Sequence, residues 1–288
     1  MARALAVDIG GTKLAVGVVA DDARVVAKRA APTPGGDVEA EGLFAALMSL
    51  LAEVRHGDEA VCGVGCGGPM TPDGEEVSPL NIPAWRGFPL RRRLAEGTRL
   101  PTYVDNDAKA LALGEGWAGA ARGSDHFLAM VVSTGVGGGI VLDGRLLDGA
   151  GGNAGHIGHV IVEPGGRRCG CGAVGCLEAE ASGRSIEAAT GRPAQEAPAE
   201  VVERAGTMVG RAVASVANLL DLRLAVAAGS VALGYGEPFF TAAQAELDRC
   251  ARLEFSSGAR IVPAGLGADA PLVGAARVGF VGLGERRP

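Results

Sequence analysis

The sequence predicts an α/β fold built in two halves, and three observations carry that reading. Short apolar strand patterns alternate with amphipathic helical ones along the chain. Each half opens on strand, glycine-rich turn, strand: LAVDIGGTKLAVGVV near the start and AMVVSTGVGGGIVL near the middle. No linker, low-complexity tract or charge block interrupts the pattern. The expectation is two lobes joined by a helix, with a cleft between them.

The elements follow in order. RALAVDI is a strand, GGT a turn, KLAVGVVA a second strand and ARVVAKRA (23–30) a third. Residues 37–55 put Leu43, Phe44, Leu47, Leu50, Leu51 and Val54 on one side of a helix. AVCGVGC (60–66) reads as a buried strand ending in GGPM, and TYVDN leads into a helix over 107–118. FLAMVVSTGVGGGIVLDGRLL (127–147) repeats the opening pattern. Laid over the start, Asp8 falls near Ser133 and Gly10 near Gly135. That alignment suggests internal duplication, although turn glycines between apolar strands also recur by chance. Beyond it come a long amphipathic helix over 199–220, a strand RLAVAAG, a helix near 238–253, a strand RIVPA and a terminal helix from Pro271.

Composition narrows the classes. A chain of 288 residues with 48% apolar and 21% charged residues is long enough for two modest domains with real cores. No apolar run approaches the ~18–20 residues of a membrane helix. MARALAVDIGGTK meets a charged Asp8 and a glycine turn at once, unlike a signal peptide. A cytoplasmic protein is expected, in which clustered thiols point to metal or catalysis before disulfides. The net charge of −6 gives no overall pull toward nucleic acid or anionic lipid.

Glycine bursts mark the candidate sites. In DIGGTK, the amides around Gly10 and Gly11 can approach phosphate oxygens, Thr12 adds a hydroxyl, and Asp8 at a strand end can hold Mg²⁺. The alternative is an ordinary Gly-Gly hairpin turn; the spacing is not that of a Walker A loop. STGVGGG, with Thr134 and Gly135, and VAAGSVA, with Gly229 and Ser230, suit phosphate contact in the same way. The three together, in this order, say more than any one.

VDNDAKA places Asn106 and Asp107 where a strand gives way to a helix. An Asp there can take the proton of a hydroxyl that attacks phosphorus. The alternative is a plain helix cap, which Asp105 can supply while leaving Asp107 to act. Cys169-x-Cys171-x4-Cys176 with a histidine upstream offers three thiols and an imidazole, a closed set typical of structural Zn²⁺; reduced structural cysteines are the alternative. Cys62, Cys66 and Cys250 read as small core residues, and His56 and His126 are isolated.

These motifs together resemble the ROK family of sugar kinases and sugar-responsive repressors. DIGGTK, the GGP of 67–69, NIPAW at 81–85, NDA at 106–108, STGVGGG and the run from Gly158-His159 through the three cysteines to Glu178 carry the resemblance along essentially the whole chain. It implies a two-lobed actin-like, hexokinase-like ATPase fold with ribonuclease H-like lobes, a cleft and a zinc-bearing loop. The lobes would be residues 1–117 plus 271–288, and residues 118–270. It implies ATP, Mg²⁺ and structural Zn²⁺, with phosphate and metal contacts from Asp8, Gly10, Gly11, Thr12, Lys13, Thr134, Gly135, Gly229 and Ser230. Asp107 would be the base. Gly68, Asn81, Asn106, His159 and Glu178 would contact the sugar, and His159, Cys169, Cys171 and Cys176 would hold zinc.

Two departures refine the expectation. Only seven residues precede Asp8, too few for the helix-turn-helix of the family's repressors, so a kinase without nucleic-acid or membrane partners is expected. His156 stands where the family usually has a sugar-binding Glu, and a neutral imidazole both donates and accepts where a carboxylate only accepts. The expected reaction is phosphorylation of a hexose or N-acyl hexosamine at O6 by a homodimer or homotetramer. A non-catalytic sugar sensor and a polyphosphate-using kinase are the rival readings.

Overall fold

The computed structural model describes residues 1–35 and 38–284. Two compact units make up the chain: Met1–Gly123 with Asp148–Ala154 and Leu266–Pro288, and Ser124–Leu147 with Gly155–Gly265. Of the lobe segment expected at 271–288, the last four residues lie outside the described residues.

In the first unit the elements run β1 (Arg3–Ile9), β2 (Lys13–Ala20), β3 (Val25–Pro32), α1 (Ala40–Ala52), β4 (Val61–Cys66), α2 (Leu90–Thr98), β5 (Thr102–Asn106) and α3 (Asp107–Ala118). The terminal helix, Ala270–Gly282, belongs to the same unit. Its sheet has the order β3-β2-β1-β4-β5, antiparallel across the opening meander and parallel from β1 to β5. Alternation along β1 sets the two faces. Leu5, Val7 and Ile9 join Leu14, Val16 and Val18 against Leu43, Leu47 and Leu51 of α1. Ala4 and Ala6, with Ala15, Val19 and Val61, meet Leu272, Ala275, Ala276 and Phe280 of the terminal helix.

Small residues on that second face are required by the packing. A side chain at Gly63 would overlap the backbone of Ala275 and Gly279, so the terminal helix lies directly on β4.

The second unit runs β6 (Phe127–Val132), β7 (Val136–Leu142), β8 (Arg145–Leu146), α4 (Leu177–Ala181), α5 (Gly183–Thr190), α6 (Ala199–Leu220), β9 (Leu224–Ala228), α7 (Ser230–Tyr235), α8 (Glu237–Cys250) and β10 (Arg260–Pro263). Its sheet order, β10-β9-β6-β7-β8, repeats the first with the same antiparallel meander and parallel pairs. Leu128, Met130 and Val132 of β6 pack against Val209, Val213 and Val216 of α6, and Phe239 and Leu247 of α8. The alignment of the two hairpins in sequence therefore has a structural counterpart in topology.

Differences from the expected elements have local causes. The third strand starts at Val25 because Ala23, at φ 67°, belongs to the turn. The helix expected over 37–55 spans 40–52, and Asp37 lies outside the described residues. The helix expected near 238–253 ends at Cys250. Helices α2, α4 and α5 were not anticipated. α2, LRRRLAEGT, buries only Leu90, Leu94 and Thr98, a stripe too thin to stand out from its charges. No helix among the described residues is long and apolar enough to cross a membrane.

Candidate functional site

Parallel pairing of β1, β4 and β5 brings their carboxyl ends to one edge, with Asp8 opposite Gly65 and Gly65 opposite Asp105. α3 starts directly from β5, so Asp107 stands at that edge too. Gly65 is the space between the acids: a Cβ there would lie 3.8 Å from Asp8 Oδ1 and 3.7 Å from Asp107 Cα. Burial, then the Asp107 charge, pushes the Asp8 carboxyl up to about 7, with Lys13 opposing. Burial and the same two acids raise the thiol of Cys66 well above its ordinary value.

The cap of α3, open in the sequence between Asp105 and its neighbours, falls to Asn106. Asn106, not Asp105, accepts the Ala108 N–H through its side chain, at 3.0 Å. Asp105 is drawn away by Lys109, a buried ammonium 3.1 Å from it and 2.7 Å from Asp148. Asp107 is exposed, and its Oδ1 accepts from Ala108 N at 2.8 Å.

The first glycine turn is held by its own unit. Gly10 N donates to Lys13 O at 3.0 Å, and Thr33 donates to Gly10 O through its hydroxyl at 2.6 Å. Gly11, Thr12 and Lys13 are exposed. Gly11 lies against the side chain of Asn81, and a Cβ at Gly68 would sit 3.4 Å from Asn106 Nδ2. The exposed Asn81 is anchored by its buried neighbours Ile82 and Trp85. Trp85 stacks on Phe88 at 4.6 Å and donates to Ala40 O at 3.2 Å.

In the second unit the other two glycine turns meet. Ser133 Oγ and Ser230 Oγ are 2.9 Å apart, and Gly183 N donates to Ser133 O at 2.7 Å. Gly229 has φ 99°, and a side chain there would strike Val132 O, so this turn requires glycine. Glu178 joins the group: its Oε2 accepts from Val136 N at 3.2 Å, beside Gly135. Thr134 is exposed, and its carbonyl accepts from Arg184 N at 3.3 Å.

His159, Cys169, Cys171 and Cys176 converge, with one ligand atom from each within 4.8 Å of all the others. Cys171 and Cys176 sulfurs are 3.7 Å apart, and His159 Nδ1 is 3.8 Å from Cys169 Sγ. Tetrahedral Zn²⁺ with Zn–S near 2.3 Å would set sulfurs about 3.8 Å apart, so the donor set fits that ion. Backbone hydrogen bonding at Ala173 lowers the Cys171 thiol, while burial pushes Cys176 up to about 12. His156 lies outside this group, its ring centre 6.1 Å from that of His159.

Lys109 and Ser133 were missing from the expected site. Lys109 was detectable as an i,i+4 partner of Asp105, but its pairing with Asp148 depends on tertiary structure. Ser133 lies inside the STGVGGG motif, and its contact with Ser230 joins residues far apart in the chain.

Duplicated meanders, each carrying a glycine turn at the sheet edge, and a strand-end Asp define the actin-like ATPase fold. Within it, the chain belongs to the ROK family, whose profile matches residues 4–279. It is similar to the glucokinase of Thermotoga maritima, 41% identical over 188 residues, a match covering 64% of this chain and 58% of that protein. It is 37% identical over 249 residues to the N-acetylmannosamine kinase of Escherichia fergusonii, covering 81% and 84% of the two chains. A ROK family glucokinase from Streptomyces griseus, solved with glucose and AMPPNP, superposes with a TM-score of 0.83 at 31% identity over 97% of this chain and 99% of that one.

Proposed function

We propose that this chain is an ATP- and Mg²⁺-dependent sugar kinase that phosphorylates a hexose or N-acyl hexosamine at its 6-hydroxyl. The observation that carries the reading is the pair Asp8 and Asp107 at one sheet edge, beside the glycine turn of 10–13. Relatives bearing kinase names, and a neighbour solved with glucose and an ATP analogue, support it.

Asp107 is the general base in this reading. The sugar oxygen attacks the γ-phosphorus, its proton passes to the Asp107 carboxylate, the new O–P bond forms and the bond to the β-phosphate oxygen breaks, leaving ADP. A carboxyl raised to about 7 by burial and then by the Asp107 charge suits a divalent cation, so Asp8 would hold Mg²⁺. Mg²⁺ bound there would supply neutralising charge for the phosphate oxygens. Thr12, Lys13 and the amides of Gly10 and Gly11 are assigned phosphate contacts, and Thr134, Gly135, Gly229 and Ser230 are assigned nucleotide contacts.

Sugar contacts are assigned to Gly68, Asn81, Asn106, His156, His159 and Glu178. Zn²⁺ held by His159, Cys169, Cys171 and Cys176 supports the loop that bears His159 and Glu178. His156, exposed in the same loop, supplies a donor where the family usually offers only an acceptor. This suits a substrate with an acceptor on the sugar ring, such as an acyl carbonyl.

An assay of ADP release over a panel of hexoses and N-acyl hexosamines, repeated with polyphosphate as donor, tests the proposal. Sugar-dependent release of ADP is the expected result. Binding of sugar without turnover on any donor would move the chain to the sensors.

A further inference from the structure

A buried acid beside the Cys/His group has no part in the reaction above. The Glu180 side chain is fully buried, and it lies one helical turn beyond Cys176, whose carbonyl accepts the Glu180 N–H at 3.2 Å. Its Oε1 accepts the backbone N–H of Arg167 at 2.5 Å, two residues before Cys169. Its Oε2 accepts from the Arg204 guanidinium of α6 at 2.8 Å. The carboxylate therefore joins both cysteine-bearing segments to one helix.

A second arginine of α6 grips the other side of the loop. Arg211 donates to Val162 O at 2.7 Å and pairs with Glu163 at 3.2 Å. Backbone bonds close the frame, with Val162 N donating to Gly175 O and Gly175 N to Arg167 O, both at 2.8 Å. Carboxylate bonds to a backbone N–H and a guanidinium are among the stronger hydrogen bonds, and here they are shielded from water.

We infer that Glu180 is a positioning residue for the metal: it holds the segment carrying Cys169 in register with Cys176, so that the four donors are set before an ion arrives. The inference rests on the reading of His159, Cys169, Cys171 and Cys176 as a metal site. Partners that orient ligands are worth about 10–100-fold in metal affinity. Glu180, acting through the backbone of two ligand segments, belongs to that range.

Co²⁺ is the probe, because a site of three thiolates and one imidazole gives visible and charge-transfer absorption that reports its geometry. Metal-free full-length protein is titrated with Co²⁺ against a competing chelator. Glu180→Gln is expected to weaken Co²⁺ affinity about 10-fold, Glu180→Ala about 100-fold, each with an altered spectrum. Arg204→Met, which trims a half-exposed partner and spares the core, is expected to weaken it about 10-fold, and Arg204→Lys to restore part of the loss. Wild-type affinity and spectrum in a folded Glu180 variant would overturn the inference. Should the Glu180 variants not fold, unchanged binding by Arg204→Met overturns it instead. A wild-type protein that takes up no Co²⁺ removes the metal reading itself, and does so before any substitution is made.

Discussion

Asp8 is buried at its strand end beside Gly65, and the Asp107 backbone borders the same glycine. The consequence is measurable without substrate. Asp8 is raised from an ordinary 3.8 to about 7, so the folded protein keeps a proton that the unfolded chain releases near 3.8. Stability from this group is complete below pH 4 and is lost as pH rises toward 7. A rise from 3.8 to about 7 corresponds to at most about 4 kcal/mol. Thermal melts of wild type and Asp8→Asn between pH 4 and 8 should diverge as pH rises, the variant becoming the more stable without metal. Parallel curves would show that Asp8 does not titrate as placed. Mg²⁺ should narrow the gap by stabilising the charged carboxylate of wild type.

The two histidines of GHIGH divide their work. His159→Ala is expected to lose the metal and fold poorly, because one of four donors is gone and metal binding is coupled to folding. His156→Ala should keep the metal and raise KM for sugar, and His156→Glu should shift preference among sugars. Elemental analysis with sugar kinetics on the three variants checks this. Metal lost from His156→Ala and kept by His159→Ala would reverse the pair.

Among the elements, the segment 81–88 owes its place to Trp85. The buried indole, stacked on Phe88 and bonded to Ala40, fixes the neighbouring Asn81 against Gly11. Trp85→Ala should cost about 3–5 kcal/mol in denaturant unfolding and loosen the Asn81 contact. A loss below about 1 kcal/mol would mean that the segment is held elsewhere. Elements of this kind divide by how far their cause is local. β1, β2, β5, α3 and α6 begin and end as their patterns predict, since strong alternation or a wide apolar stripe sets them. α2 hides its thin buried stripe among arginines, and the pairing of Lys109 with Asp148 as well as Asp105 needs a tertiary partner. The cysteine loop was legible, since its donors are close in sequence. The approach of Asn81 to Gly11, or of Ser133 to Ser230, joins residues far apart in the chain and was not.

At the scale of the molecule, the repeated sheet order gives each unit a glycine turn at the same place in its meander. One fold, used twice, supplies a turn with an adjacent acid in the first unit and a turn beside Ser230 and Glu178 in the second. The central claim is that this equipment moves a phosphoryl group to a sugar hydroxyl with Asp107 as base. Rapid-quench measurement of γ-phosphate transfer to sugar by wild type and Asp107→Asn, with calorimetric sugar binding on the same preparations, tests it most directly. The account predicts sugar-dependent transfer by wild type. In the variant it predicts binding within a few-fold of wild type and transfer slower by about 10²–10⁴. Transfer at nearly the wild-type rate by Asp107→Asn, or sugar binding without transfer by wild type, would contradict it.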